Sequence, residues 1–515
     1  MTLVVELLVQ ASIGGLLFIG MIGLAMKPAV VRELRTPQGI LAGLTLSAAG
    51  AALVWLLATV PAARRPVTLV AAVGLLLAWW RARPGYGSRR GLPRGSLSVG
   101  RSLDAIHDRS FYRDEARRHG PIFKMSQFGR PVACVVGIER ARRLLVDQAD
   151  RLSGATLPYN RFVPRGSLRY MARSDHRDVA PVFRAALARM DISAAETDVR
   201  EALRAGLERL VSHREACSGL GVRPRDYWGS LILPALAHTV FGLDPAHPGV
   251  SRIGSELQRL DLGRGGGPIW RRGVRQGLER TRDALHDALT DRGPRPGSAL
   301  AHLLAAEPAL FSDPTLSGNL VLISRLALGD LTGLYDWIFR MLTDHRSWLA
   351  RLREEGPSST TVWLSGCDPQ ALPLAPCIVM ETLRLEQSEY LYRKIVRPVW
   401  IEGRLLPAGW LLRVCIQESH RAADVFGEPD RFDPDRFTRR AFVRTEYAPF
   451  GIDSHACMGT KLTLALGALF VEELARFDWQ VLRDGPVERD GNRHRYHWRP
   501  SRRLRVRMWP AREVV

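Results

Sequence analysis

Three apolar runs open the chain. Residues 3–26 are almost wholly apolar, broken by Glu6 and Gln10; residues 39–60 carry no charge; residues 66–80 form a third run. A helix needs about 20 apolar residues to cross a bilayer core. The first two runs meet that length. The third, about 22 Å long as a helix, is marginal, and its Trp79-Trp80 pair suits the membrane interface. The first run lacks a basic leader and two more runs follow it, which argues against a cleaved signal peptide. Lys27, Arg32 and Arg35 fill the first loop, and Arg81, Arg83, Arg89, Arg90 and Arg94 follow the third run. Positive residues stay on the cytoplasmic side. The expectation is therefore a three-helix membrane anchor over residues 1–81. Its N-terminus would lie outside and the remainder of the chain on the cytoplasmic side. Residues 82–100, rich in Gly, Pro, Arg and Ser, read as a hinge.

From residue 101 to 515 the pattern turns to helical periodicity. Spacing predicts helices over 111–119, 138–148, 175–189, 194–212, 226–241 and 269–290. Residues 121–128 and 131–136 read as two strands around a Gly-Arg turn. A glycine-rich stretch at 263–268 interrupts two helices. A long apolar helix over 319–342 carries Gly329, Asp330 and Thr332 near its middle, and a further helical stretch covers 461–477. The fold class expected is mostly α with small β-sheets near both ends of the domain.

The formal charge is +21, with arginine spread along the chain. No zinc-finger spacing or glycine-aromatic RNA motif accompanies it, so a nucleic-acid partner is not expected. A basic face for an acidic protein or an anionic membrane, and a plain Arg/Ala compositional bias, both stay open. Six cysteines, at 134, 217, 367, 377, 415 and 457, form no CxxC pair. That argues against a disulfide framework or a structural zinc, and for a reducing compartment.

Cys457 ends the stretch Phe450-Gly451-Ile452-Asp453-Ser454-His455-Ala456-Cys457, just before a helix. Backbone N–H groups and the helix N-terminus are expected there to favour thiolate over thiol. The plain alternative is an inert cysteine in a turn. Upstream, Glu381 and Arg384 share one helix face. Their apolar neighbours Ile378, Val379, Leu383 and Leu385 point to burial. A buried pair needs further hydrogen-bond partners to offset desolvation, and Arg436 in Pro434-Asp435-Arg436-Phe437 is a candidate.

The cysteine loop, the Glu-x-x-Arg helix and the Pro-x-Arg-Phe segment, in this order, resemble the cytochrome P450 family, of a bacterial type with an N-terminal anchor. The resemblance implies a P450 fold behind a multi-span transmembrane anchor, and haem b as cofactor. Cys457 would ligate the iron, with Phe450 beside the sulfur. His455, Arg393 and, more weakly, His176 would face the haem propionates; Ala180 stands where an arginine is expected. Asp453 replaces a common glycine. Glu381, Arg384 and Arg436 would be a structural triad. Gly329, Asp330 and Thr332 match the oxygen-activating segment, except that Leu331 occupies the acid's place and Asp330 precedes it. A back-bond from Thr332 to the carbonyl four residues earlier is the plain alternative. Ser388, Glu389, Tyr390 and Leu391 would border the substrate cavity, or merely turn the chain.

The activity implied is that of a monooxygenase. It would oxidise, and in the first instance hydroxylate, a small organic or lipophilic metabolite with dioxygen. Electrons would come from a separate ferredoxin or reductase. Two alternatives stand beside it. One is non-hydroxylating haem-thiolate chemistry, such as peroxygenation, desaturation or rearrangement. The other is a catalytically silent membrane partner.

Overall fold

The structure, a computed structural model, describes residues 91–98, 101, 104–105, 107–127, 130–156, 162–213, 220–260, 268–364, 366, 368–386, 391–489 and 498–511. The expected anchor over 1–81, most of the hinge over 82–100, the glycine-rich stretch up to 267, and Ser388, Glu389 and Tyr390 lie outside the described residues. Among the described residues no helix is long and apolar enough to cross a membrane.

Two compact units divide the chain. One comprises residues 1–114 and 124–131, the other residues 115–123 and 132–515. Within the first, strand Arg94–Ser96 turns through Gly95 at φ +118°, where a Cβ would lie 2.2 Å from the Lys124 carbonyl oxygen. Only glycine fits that position. All the chemistry described below belongs to the second unit.

Helix Pro314–Asp344 runs through the core of the second unit. It begins before the expected residue 319 because Asp313 caps it. The carboxylate accepts from the N–H groups of Thr315 (2.6 Å) and Leu316 (3.0 Å), and Pro314 occupies the first turn. Asn319, fully buried, donates to the Gly166 carbonyl at 3.1 Å and accepts from the Leu168 N–H at 2.7 Å, pinning that loop to the helix.

Helices Trp228–Leu236, Leu374–Glu386 and Thr460–Leu474 pack on this central helix. The last stops short of residue 477, where strand Phe477–Arg483 starts and pairs antiparallel with Arg505–Pro510. Trp228–Leu236 continues as a π-helical turn, Ala237–Phe241. Pro234 lies inside the α-helical part, where it donates no backbone hydrogen bond towards Ser230. A small sheet flanks the helices. Leu391–Ile395 lies antiparallel to both Leu152–Ser153 and Leu411–Val414, and residues 132–135 run parallel to Leu411–Val414.

Aromatic rings lock the centre. Tyr335 stacks on Phe470 with centroids 3.8 Å apart and planes 6° apart, and its hydroxyl donates to the Leu466 carbonyl at 2.9 Å. Trp228 meets Phe470 edge-on at 5.3 Å. Beside them, buried Asp336 accepts from Trp228 Nε1 (3.2 Å) and Arg499 Nε (3.1 Å). Arg499 also donates to the Thr332 carbonyl at 3.2 Å, so the C-terminal strand Trp498–Arg499 grips the turn that carries Thr332.

Truncating the shared ring should therefore cost more than removing the shared hydroxyl. Phe470→Ala is expected to cost about 3–5 kcal/mol, and Tyr335→Phe about 1 kcal/mol. Urea unfolding of both variants checks this, and equal costs would contradict a core centred on Phe470.

Candidate active site

The cysteine loop is closed by its own backbone. Cys457 N–H donates to the Phe450 carbonyl at 2.8 Å, and Ala456 N–H to the Asp453 carbonyl at 2.9 Å. Gly451 makes the turn possible at φ +86°, in the left-handed region that favours glycine. Leu391, expected to border the substrate cavity, lies beside this turn: its Cδ1 is 3.7 Å from where a Cβ on Gly451 would be. Phe450 is half-buried.

The Cys457 thiol is exposed, and it faces the head of helix Thr460–Leu474, with Gly459 as N-cap. Burial of its surroundings pushes the thiol pKa up; the Gly459 N–H at the sulfur and the charge of Arg169 pull it down. Burial wins. The Gly459 N–H favours the thiolate as the sequence suggests, but desolvation of the charged form is the larger effect. A metal ion at the sulfur supplies what is missing, since a coordinating thiol is deprotonated outright.

A buried ionic core holds this loop from behind. Glu381 and Arg384 are fully buried and paired in parallel: Arg384 Nε to Glu381 Oε2 at 2.7 Å, Nη2 to Oε1 at 2.8 Å. The remaining guanidinium donors reach the carbonyls of His420 (2.8 Å), Pro429 (2.7 Å) and Arg431 (3.1 Å). Arg436 adds a donor to Glu381 at 3.2 Å, and the Asp433 N–H another at 2.9 Å. The structure thus brings Glu381, Arg384 and Arg436 together.

His420 passes this order on, and nothing in the sequence pattern marked it. Its carbonyl takes a donor from Arg384, while its ring Nε2 accepts the Ala448 N–H at 3.0 Å, two residues ahead of Phe450. Tyr447 completes the link by donating to the Met380 carbonyl at 2.7 Å.

On the loop's other side, His455 stacks on His176 of helix Arg173–Ala188, with centroids 3.8 Å apart and planes 23° apart. Both imidazoles are held neutral. Burial, then Arg184, brings His176 to about 4; burial, then Arg393 and His176, brings His455 to about 3. Gly154 permits the stack: a Cβ there would lie 2.7 Å from His455 Nε2. Arg184 donates to the Ser454 carbonyl at 2.6 Å. Arg393 does not stand ready for a ligand. It is paired with Asp453, at 2.5 Å from Nη2 and 3.0 Å from Nε.

On the central helix, Gly329 is exposed, Asp330 and Thr332 are part-exposed, and Leu331 is 2% exposed. Position 331 faces the core, where an apolar side chain packs without a desolvation cost. The Thr332 hydroxyl donates to the Leu328 carbonyl at 2.6 Å. Its proton is committed, and its lone pairs are what it has left to offer. A cavity of about 270 Å³ opens elsewhere, at the start of this helix, between Val163, Leu278, Pro314 and Gly318. It lies about 21 Å along the axis from Thr332, away from this chemistry.

The donor set fits cysteine-ligated haem. An exposed thiol has an N–H aimed at its sulfur, and two neutral imidazoles, each with an N–H to donate, stand in a stack that includes the residue two positions before it.

Burial of the His420 ring makes a pH prediction. Its pKa falls to about 3, chiefly through burial and then the charges of Arg384 and Arg421, against about 6.5 in an unfolded chain. The unfolded state thus binds the extra proton. The stability from this group is complete above pH 6.5 and is lost as pH falls towards 3, by about 1.4 kcal/mol per pH unit. His420→Ala should remove that slope from urea unfolding measured between pH 4 and 7. A variant with the wild-type slope would show that the ring is not held neutral.

Comparison with known proteins agrees with this geometry. The family model for cytochrome P450 matches residues 335–503. Abscisic acid 8'-hydroxylase 2 of Oryza sativa subsp. indica is 24% identical over 422 residues, 76% of this chain and 82% of that protein. Cytochrome P450 26C1 of Homo sapiens is 26% identical over 470 residues, 79% of this chain and 88% of that protein. The solved structure of retinoic acid bound cyanobacterial CYP120A1 superposes with a TM-score of 0.66 at 21% identity, over 82% of this chain and 100% of that chain, and shows the same fold. The family match takes in Glu381, Arg384, Arg436 and Cys457, the residues from which the site was assembled above. Residues 335–503 thus match the cytochrome P450 family, whose haem iron is held by a cysteine thiolate, and the chain is similar over most of its length to hydroxylases of that family at 24–26% identity.

Proposed function

We propose that this protein hydroxylates a small apolar metabolite bearing a carboxylate, using dioxygen and electrons from a separate ferredoxin or reductase. The observation that carries the hydroxylase reading is the cytochrome P450 match across the cysteine loop, together with the hydroxylase relatives. The Thr332 hydroxyl makes the back-bond to Leu328 that is the plain alternative to an oxygen-activating role, so its part in that role rests on the resemblance and on its remaining lone pairs. The substrate class is supported by the relatives: abscisic acid and retinoic acid, the acids named with two of them, are apolar carboxylic acids.

Haem, when bound, supplies the iron at which dioxygen is reduced. The chain's own residues do the rest. Cys457 donates electron density to the iron. Phe450 packs beside the sulfur. Thr332 would accept a hydrogen bond on its lone pairs and so order a proton donor, and Asp330, two residues back on another helix face, would serve it by a shifted route. His455 and His176 offer neutral N–H groups to a haem carboxylate. Glu381, Arg384 and Arg436 hold the cysteine loop in register and take no part in chemistry.

The apolar runs within residues 1–81 support a membrane anchor with the catalytic domain on the cytoplasmic side. Ser388 and Tyr390 remain candidates for contact with a polar group of the substrate, whereas Glu389 would repel a carboxylate placed beside it. A second reading, peroxide-driven turnover without dioxygen activation, is favoured by one observation: Leu331 buries an apolar side chain where the family places an acid.

Two measurements separate these readings. Thr332→Ala should lower product formation at least tenfold, about 1.4 kcal/mol, while donor oxidation continues and releases peroxide. Full activity with peroxide in the wild type, and none with dioxygen and a donor, would favour the second reading. Optical titration should show apolar carboxylic acids binding more tightly than their methyl esters. Equal or tighter binding of the esters would overturn the substrate class.

A further inference from the structure

Asp453 stands where the family pattern commonly has glycine, and its side chain is almost fully withdrawn from solvent. It and Arg393 are 7% and 8% exposed. Asp453 Oδ2 receives both Nε and Nη2 of Arg393, and Oδ1 receives the His455 N–H at 3.0 Å. The third guanidinium nitrogen, Nη1, donates to the Tyr392 carbonyl at 2.7 Å. Three of the five guanidinium N–H groups of Arg393 are thus engaged inside the protein, and its charge is matched by an adjacent carboxylate. Position 180 is alanine, and Arg184 donates to the Ser454 carbonyl while keeping its charge, so Arg393 is the cation of this stretch that a carboxylate offsets directly.

We propose that Asp453 is a positioning residue that withholds Arg393 from the haem carboxylates, and thereby sets both haem retention and the haem reduction potential. The inference rests on the haem-thiolate reading above. Its physics is a matter of net charge. As a pair, Asp453 and Arg393 present none. Without the carboxylate, Arg393 becomes an uncompensated cation in a poorly solvated place, where its field is weakly screened. It then attracts haem carboxylates through charge-assisted hydrogen bonds. It also favours the reduced haem, which carries one positive charge fewer. Asp453→Asn keeps the shape and one acceptor oxygen, for either Arg393 or the His455 N–H, and removes the charge.

The test uses the purified ferric holoprotein and two readouts: the rate of haem transfer to an excess of apomyoglobin, and the ferric/ferrous potential by redox titration. Asp453→Asn should transfer haem several-fold more slowly than the wild type and shift the potential positive. Arg393→Gln leaves the carboxylate unopposed and should do the reverse on both counts. The double variant should return close to the wild type. Asp453→Gly, which restores the common residue of the family, should behave as Asp453→Asn does. Faster haem loss in both Asp453 variants, or failure of both to hold haem, would overturn the proposal and leave Asp453 a mere clamp on the loop. An unchanged potential would overturn it too. A wild type that binds no haem would be a failure of the haem-thiolate reading itself, recognisable before any variant is made.

Discussion

The fold around the cysteine depends on one fully buried ion pair, Glu381 with Arg384. Burying two charges costs several kcal/mol per ion, and their mutual attraction alone does not reliably offset it. Here the pair is saturated. Arg384 also binds three carbonyls from the segment 420–431, and Glu381 takes donors from Arg436 and the Asp433 backbone. Each of these bonds fixes a piece of irregular chain that no helix or strand would otherwise hold. Through His420 and Ala448 the same order reaches Phe450, and through the Phe450 carbonyl it reaches the Cys457 N–H. A thiol that must meet a metal in one orientation is thus positioned by a salt bridge well outside its own loop.

Much of this was legible in the sequence because it is local. Glu381 and Arg384 are one helical turn apart among apolar residues, and Cys457 sits between a glycine turn and an apolar helix. What was not legible depends on chain brought in from far away. His420 carries no periodic or motif signal, yet its ring and carbonyl join two segments. Arg499 lies in a short strand 167 residues from Thr332, whose carbonyl it binds. The start of the central helix could have been found, since the Asp313-Pro314 pair is a cap followed by a first-turn proline. The balance at the thiol was half legible for a physical reason. Helix and N–H effects can be read from neighbours in sequence, whereas desolvation is set by everything packed around the sulfur.

Charge in this protein is abundant but largely spoken for near the site. Its net +21 comes from arginine, yet Arg393, Arg184, Arg384 and Arg436 all donate to protein acceptors. The stacked His176 and His455 are neutral. Arg393, Arg384 and Arg436 face carboxylates, whereas Arg184 and Arg169 keep charge that acts on His176 and on the sulfur. That matters for a site whose iron ligand is an anion, because each uncompensated cation nearby would stabilise the thiolate and weaken its donation to the metal.

The central claim is that Cys457 binds the haem iron as thiolate. The most direct measurement is the reduced, carbon-monoxide difference spectrum of the purified holoprotein beside that of Cys457→Ser. Thiolate ligation predicts the strongly red-shifted Soret band in the wild type and its loss in the variant. A wild-type spectrum without that band, or a variant that keeps it, would contradict the account.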